Sequence, residues 1–201
     1  TDLQTTFGSY GYRRAVLSAG SIIGAGRLFF SLGNIVSDGW REHSRSTRTL
    51  FNGGLISELG VRTNLGVYLS VVDNSFRIPG PLSRSQYDAN PRQAQGDTAY
   101  YNPTYVQRDE RRLNRLGRLG VSLSHDINDH HGITASVFVS PKYLQRSERN
   151  TYRDFNRYHI GGSATYRNAA SLGTRIRNTL LIGMDEAYQD GAILFYSLSP
   201  T

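Results

Sequence analysis

Between Asn74 and Glu110 the chain carries Arg77, Arg84, Arg92 and Arg108 together with Tyr87, Tyr100, Tyr101 and Tyr105. Guanidinium groups offer two-pronged donors to carboxylate or hydroxamate-like oxygens. Tyrosines add flat, amphipathic contact suited to a bulky chelate. The candidate binding residues are therefore Arg77, Arg84, Tyr87, Arg92, Tyr100, Tyr101 and Tyr105. A plain structural role in a solvated loop is the competing reading for each of them.

Catalytic constellations are weaker. Ser122-Leu123-Ser124-His125-Asp126 sets serine, histidine and aspartate side by side. A triad, however, converges in space from separate elements, so a strand end and turn explain this run better. His130-His131 could take a metal adventitiously, but no helical pair or second cluster supports a site. Asp185-Glu186 reads as an isolated acidic pair at a strand end, and Glu148 has no evident partner carboxylate. Gly24-Ala25-Gly26 lacks the strand-to-helix context of a phosphate loop. The expectation is a protein that is not an enzyme, with no cofactor and no resident metal.

The elements that must carry the loop residues alternate in polarity. Leu119, Val121 and Leu123 oppose Arg118, Gly120, Ser122 and Ser124. Leu65, Val67, Leu69 and Val71 oppose Gly66, Tyr68 and Ser70, and Ile160, Gly162, Ala164 and Tyr166 oppose His159, Gly161, Ser163 and Thr165. Residues 27–37, 133–140 and 175–184 follow the same rule with a few breaks. A period of two gives each strand one apolar and one polar face. The polar faces use Gly, Ser, Thr, Asn and Arg rather than Lys and Glu, which suits a water-filled or plugged lumen. Tyr10, Tyr12, Trp40, Phe51, Tyr68, Tyr143, Tyr152, Tyr158 and Tyr166 read as strand-end aromatics fit for membrane-interface girdles.

Connections alternate short with long. Ser21–Gly26, Gly60–Asn64, Asp126–His131 and Asn168–Gly173 are short and hold Gly, Asn or Asp, the residues of tight turns. Asp38–Ser46, Asn74–Glu110 and Pro141–Tyr152 are long. Short turns at one end and long loops at the other are the rhythm of an outer-membrane barrel. Hydrophobic residues make up 38% of the chain, which is low for a sheet buried on both faces. No run approaches the roughly 18 apolar residues of a transmembrane helix. The net charge of +7 is built from arginine, since Lys142 is the sole lysine. The arginines are scattered rather than clustered, which argues against a nucleic-acid partner. With no cysteine, disulfides and thiolate metal sites are excluded.

Three stretches, in order, resemble one family. Gly8-Ser9-Tyr10-Gly11 with Arg13-Arg14 resembles the early barrel strands of TonB-dependent outer-membrane receptors. Ser37-Asp38-Gly39-Trp40-Arg41-Glu42-His43-Ser44 resembles the segment leaving their third strand, commonly SDGYR. Pro79-Gly80-Pro81-Leu82-Ser83-Arg84 with Gln86, then Asn90-Pro91-Arg92-Gln93-Ala94, is similar to a long-loop pattern of the iron-complex branch. The resemblance implies an all-β, antiparallel transmembrane β-barrel segment of about ten strands, within a plugged barrel of about 22. Residues 1–201 would be one part of that barrel domain, with the plug and closing strands absent. It further implies a Gram-negative outer-membrane location, contact with outer-membrane lipid, a ferric siderophore or similar metal chelate as ligand, and coupling to the TonB complex through the missing plug region.

Two other architectures are compatible with the strands. A small self-contained barrel, porin-like or structural, would need its first and last strands to pair. A soluble β-sandwich used as a binding module would need two apolar faces packed together.

Overall fold

The computed structural model describes residues 1–99, 102–148, 151–172 and 176–197. Among these residues nine strands run in chain order: β1 (Asp2–Gly8), β2 (Tyr12–Ile23), β3 (Gly26–Ser37), β4 (Ser46–Gly60), β5 (Thr63–Arg77), β6 (Arg111–Asp126), β7 (His131–Glu148), β8 (Thr151–Leu172) and β9 (Ile176–Ser197). A single short helix, α1 (Arg84–Ala89), interrupts the β5–β6 connection. The strands form one antiparallel sheet in the order β1 to β9, each pairing with its neighbours in sequence. Among the described residues β1 pairs with β2 alone and β9 with β8 alone, so no small closed barrel forms. Among the described residues no second sheet covers the first, which removes the sandwich.

The alternation read from the sequence fixes the register. Leu65, Val67 and Leu69 of β5 lie opposite Leu123, Val121 and Leu119 of β6. Those in turn face Ala135, Val137 and Val139 of β7, then Ala164, Gly162 and Ile160 of β8. Apolar side chains thus line up row by row on one face. Nothing among the described residues covers them: Leu69 is 41% exposed, Val137 60% and Met184 71%. Ala94, in the β5–β6 loop, is the buried hydrophobic residue of the described chain, at 6% exposure. Apolar surface of this extent calls for a cover beyond the described residues, because burial is the dominant favourable term in folding.

The opposite face is polar and tightly laid. Ser18 donates to Ser31 at 3.0 Å, Ser70 to Asn52 at 2.8 Å, and the Ser136 and Ser163 hydroxyls lie 2.8 Å apart. One row crosses this face as Gly20, Phe29, Gly54, Tyr68, Gly120, Phe138, Gly161. Aromatic rings lie over the glycines beside them. A Cβ on Gly54 would come within 2.5 Å of the Phe29 ring, and one on Gly161 within 2.8 Å of Phe138. Tyr68 therefore belongs to this belt rather than to an interface girdle. On the apolar face Tyr143, Tyr158 and Tyr188 lie toward the long-loop end and Tyr166 toward the turn end.

Two expectations change. Asp185-Glu186 lies in the middle of a strand rather than at an end, because β9 runs unbroken from Ile176 to Ser197. The expected long loop Pro141–Tyr152 is mostly strand, because β7 continues to Glu148 and β8 begins at Thr151. β8 and β9 each have 22 residues, about 70 Å at 3.2–3.4 Å per residue. A bilayer takes about 9–11 tilted residues of a strand. Half or more of each strand would lie outside such a span, where both faces would meet water and alternation would not be enforced. Pro141 sits in β7 where Gly117 of β6 leaves room for its ring, a Cβ there coming within 3.2 Å of it.

Val121 sits in the middle of the apolar face, between Val67 and Val137. With lipid as the cover of that face, Val121→Arg costs about 2–4 kcal/mol. The whole protein carrying it is expected to lose heat-modifiable mobility and recovery in outer-membrane fractions, while Ser122→Arg, on the polar face, retains both. Equal recovery of the two variants would reverse the assignment of faces.

Candidate ligand-binding surface

The connections β1–β2 (9–11), β3–β4 (38–45) and β5–β6 (78–110) gather at one end of the sheet. Their union is built from the two longer sequence motifs. Arg41 donates through Nη1 to the Gly80 carbonyl at 2.8 Å, and through Nε and Nη2 to the Gln93 carbonyl at 3.1 and 2.8 Å. Partial burial lowers its pKa from the ordinary arginine value. Glu42 N–H donates to the Arg92 carbonyl at 2.8 Å, and its carboxylate accepts from Ala94 N–H at 3.3 Å. Arg92 returns a bond from Nε to the Trp40 carbonyl at 3.1 Å and stacks 5.4 Å from the Tyr10 ring centre. All three loops are joined by side chains of these motifs.

Local chemistry explains the motif residues. Gly39 has φ +83° and Gly80 φ +75°, backbone angles that side chains disfavour. At Gly80 a Cβ would also lie 2.7 Å from both Gln95 and Tyr105. Ser83 and Gln86 form a capping box on α1: Ser83 Oγ accepts from Gln86 N–H at 3.3 Å, and Gln86 Oε1 accepts from Ser83 N–H at 2.8 Å. Gln93 Nε2 donates to the Gln86 carbonyl at 2.6 Å, tying the helix to the second half of the motif. Beneath lies a small polar core, with Gln95 and Thr104 buried and Arg108 paired to Glu110 at 2.7 Å, both nearly inaccessible. Arg108 also lies 4.3 Å over the Tyr105 ring.

The candidate residues of the long loop do not converge on one point. Arg84 is exposed on α1 and bridged to Asp88 at 2.9 Å, and Tyr87 is exposed on the same helix. Arg92 is exposed but engaged by the Trp40 carbonyl and the Tyr10 ring, and Tyr105 is half-buried against Arg108. Arg77 ends β5 on the apolar-face side and pairs with Asp109 at 2.8 Å. Tyr100 and Tyr101 lie outside the described residues. Asp109 also bonds Arg111 and lies 3.8 Å from His43 Nε2. Burial pushes the Asp109 carboxyl up, but its bonds and charge contacts with Arg111 and Arg77 outweigh that and hold it below the ordinary aspartate range. These ties are therefore complete at neutral pH and are lost only as acid titrates Asp109.

Another basic group emerges on the polar face. Arg112 of β6 is opposite Arg146 of β7, which is opposite Arg153 of β8. Lys142 is opposite Arg157 on the same face, closer to the turn end. Closer still, Arg118 lies 5.0 Å over the Phe138 ring, whose edge meets His159 at 4.9 Å. The polar face thus grades from an aromatic belt to a wall of guanidinium groups beside the loop cluster. Same-sign neighbours in cross-strand register repel one another and jointly draw an anion. Strand parity marks Arg112 for this face, since it shares the phase of Ser122 and Arg118; Arg146 and Arg153 could be placed only once β7 and β8 were known to extend.

No family model matches the chain, and no curated protein matches it. Solved structures do. Ferric citrate transporter FecA in the unliganded form superposes with a TM-score of 0.73 at 15% identity, over 96% of this chain and 29% of that one. The ferric-catecholate import receptor Fiu from E. coli K12 gives 0.69 at 12% identity, over 92% and 33%. P. aeruginosa FpvA, solved with heterologous pyoverdines and iron, gives 0.76 at 12% identity, over 99% and 28%. The fold is that of a TonB-dependent receptor barrel. At such identities the likeness is one of fold, and the chain spans about a third of the length of the structures it matches. In that fold the sheet is an arc of barrel wall, with its apolar face outward and its polar face toward the lumen.

Arg41 is the side chain on which the loop cluster turns. Arg41→Ala leaves two carbonyls without their donor, a loss of about 1–3 kcal/mol. Loops 38–45 and 78–110 of the whole protein are expected to become protease-sensitive together while the barrel strands stay protected. Arg41→Lys should rescue little, because an ammonium cannot fork to both carbonyls. Unchanged cleavage in Arg41→Ala would show that the loops are held independently.

Proposed function

We propose that the chain is wall and loops of an outer-membrane receptor that binds an iron complex of the ferric siderophore type and imports it with energy delivered through TonB. The plug region that would meet the TonB complex belongs to the remainder of such a receptor. The carrying observation is the Arg112–Arg146–Arg153 row, which sits on the lumenal face beside the loop cluster. Iron chelates with carboxylate, hydroxamate or catecholate oxygens are bulky and often anionic, and forked guanidinium donors suit them. The barrel fold, the apolar outer face and the iron complexes for which the similar structures are named support the same reading.

Within it, Arg84 and Tyr87 on α1 contact the ligand from the loop side, and Tyr100 and Tyr101 are proposed as further ligand contacts. Arg92 and Tyr105 act by shaping that surface. Arg77 faces away from the lumen, so its contribution to the ligand site is through Asp109 and the loop. The aromatic belt of Phe29, Tyr68 and Phe138 lies deeper, as a smooth wall on the path inward.

The test is growth of an iron-starved strain lacking its own iron-complex receptors, supplied with the whole protein and a panel of ferric citrate, hydroxamate and catecholate chelates. At least one chelate is expected to restore growth, and only with TonB intact. For that chelate, Arg112→Ala/Arg146→Ala should weaken binding at least tenfold, roughly, from the loss of charge-assisted hydrogen bonds. Failure of every ferric chelate to bind would overturn the assignment, and unchanged affinity in the double variant would remove the arginine row from the site.

A further inference from the structure

Toward the loop end, the lumenal face of β7 to β9 changes character from row to row. Gly191 of β9 completes the Lys142–Arg157 row. The next row is apolar, with Leu144, Phe155 and Ile193 in register. The row after it holds Arg146, Arg153 and Phe195, and Arg153 lies 5.2 Å from the centre of the Phe195 ring. Strand parity puts these side chains on the lumenal face. Arg153 and Phe155 share the phase of Gly161, and Ile193 and Phe195 that of Ala187 opposite it. Successive rows on one face lie about 7 Å apart. An apolar band one row deep is therefore enclosed by basic rows on both sides.

Three features select what this band takes. Ile193 and Phe195 are 44% and 65% exposed, so a flat group laid across the band removes apolar surface from water. The flanking guanidinium groups offer forked donors to oxygens of the same molecule, and their planes also stack on rings. The same pairing recurs about 26 Å further toward the turn end, where Arg118 lies 5.0 Å over Phe138. An all-oxygen ligand such as citrate leaves the band in water. A saturated arm fills it without stacking on the guanidinium planes.

We propose that the iron complex bound here is an anionic chelate whose arms carry aromatic rings, with Phe155, Ile193 and Phe195 as the side chains that determine specificity. The rings lie along the Leu144–Phe155–Ile193 band and against Phe195. The charged oxygens face Lys142 and Arg157 on one side and Arg146 and Arg153 on the other. The proposal rests on the iron-complex reading and adds a choice among chelates. The two fail differently: an error in that reading shows as no ferric chelate binding at all.

The experiment measures equilibrium binding of radio-iron chelates to the purified whole protein in detergent. A hexadentate ferric tris(catecholamide) is compared with ferric dicitrate, which is anionic but carries no ring. The parent is expected to bind the aryl chelate about tenfold or more tightly. Phe155→Ser/Phe195→Ser should bring that ratio toward parity, whereas Phe155→Tyr/Phe195→Tyr keeps the rings and should preserve it. Heat-modifiable mobility checks that each variant is folded. Phe195→Ser alone, at an exposed position, should lower the ratio several-fold. A parent that binds ferric dicitrate or a saturated ferric trihydroxamate more tightly than the aryl chelate would overturn the proposal. So would serine variants that keep the full ratio, or a tyrosine variant that loses it as they do.

Discussion

A strand that crosses hydrocarbon has no water to satisfy its backbone, so every N–H and C=O must find a partner on a neighbouring strand. Read as an arc of barrel wall, the rest of this molecule follows from that constraint. Antiparallel neighbours linked by short turns satisfy the ladder locally, and the order β1 to β9 is the simplest way to extend it. The side chains are then free to specialise, because neither face has to bury a core within the chain. The same constraint makes β1 and β9 incomplete by themselves: each has one free edge among the described residues, which further strands of a closed barrel would pair.

At the loop end the constraint changes. Water is present, strands need no lipid, and irregular backbone can be satisfied by side chains. The motif residues take that task. Arg41, Glu42, Arg92 and Gln93 bond backbone groups across two loops, so the segment 78–110 is a folded cap with a buried Arg108–Glu110 pair rather than a slack connection. The same fixing of shape that keeps the cap in place would also preorganise a binding surface, since ligand binding then need not order a long loop.

Much of this was legible in the sequence wherever physics imposes a pattern. Leu119, Val121 and Leu123 could be assigned a face because lipid on one side and lumen on the other demand a period of two. The continuation of β7 beyond Pro141 was hidden because Lys142, Gln145 and Arg146 stand where both faces are wet and nothing enforces alternation. The candidate arginines were chosen by type and loop position, which report available chemistry but not direction. For Arg77 the direction was present in the sequence: it continues the phase of Leu65, Val67, Leu69 and Val71. The role of Arg41 was not, since three hydrogen bonds to carbonyls of a loop some forty to fifty residues away leave no periodic trace.

Strand parity also gives meaning to the net charge of +7. On β6, Arg111 and Arg112 are adjacent in sequence and point to opposite sides of the wall, one toward the outer face and one toward the lumen. Their neighbours in register extend each into a group: Arg77 beside Arg111, and Arg146 then Arg153 beside Arg112. A slip of one residue in β6 would exchange the two arginines and put Leu119 and Val121 into the lumen with them. The apolar rows forbid that slip, because shifting the register moves every hydrophobic side chain off the lipid face at once. The alternation that lines the apolar rows up on one face is therefore also what separates the two groups of arginines.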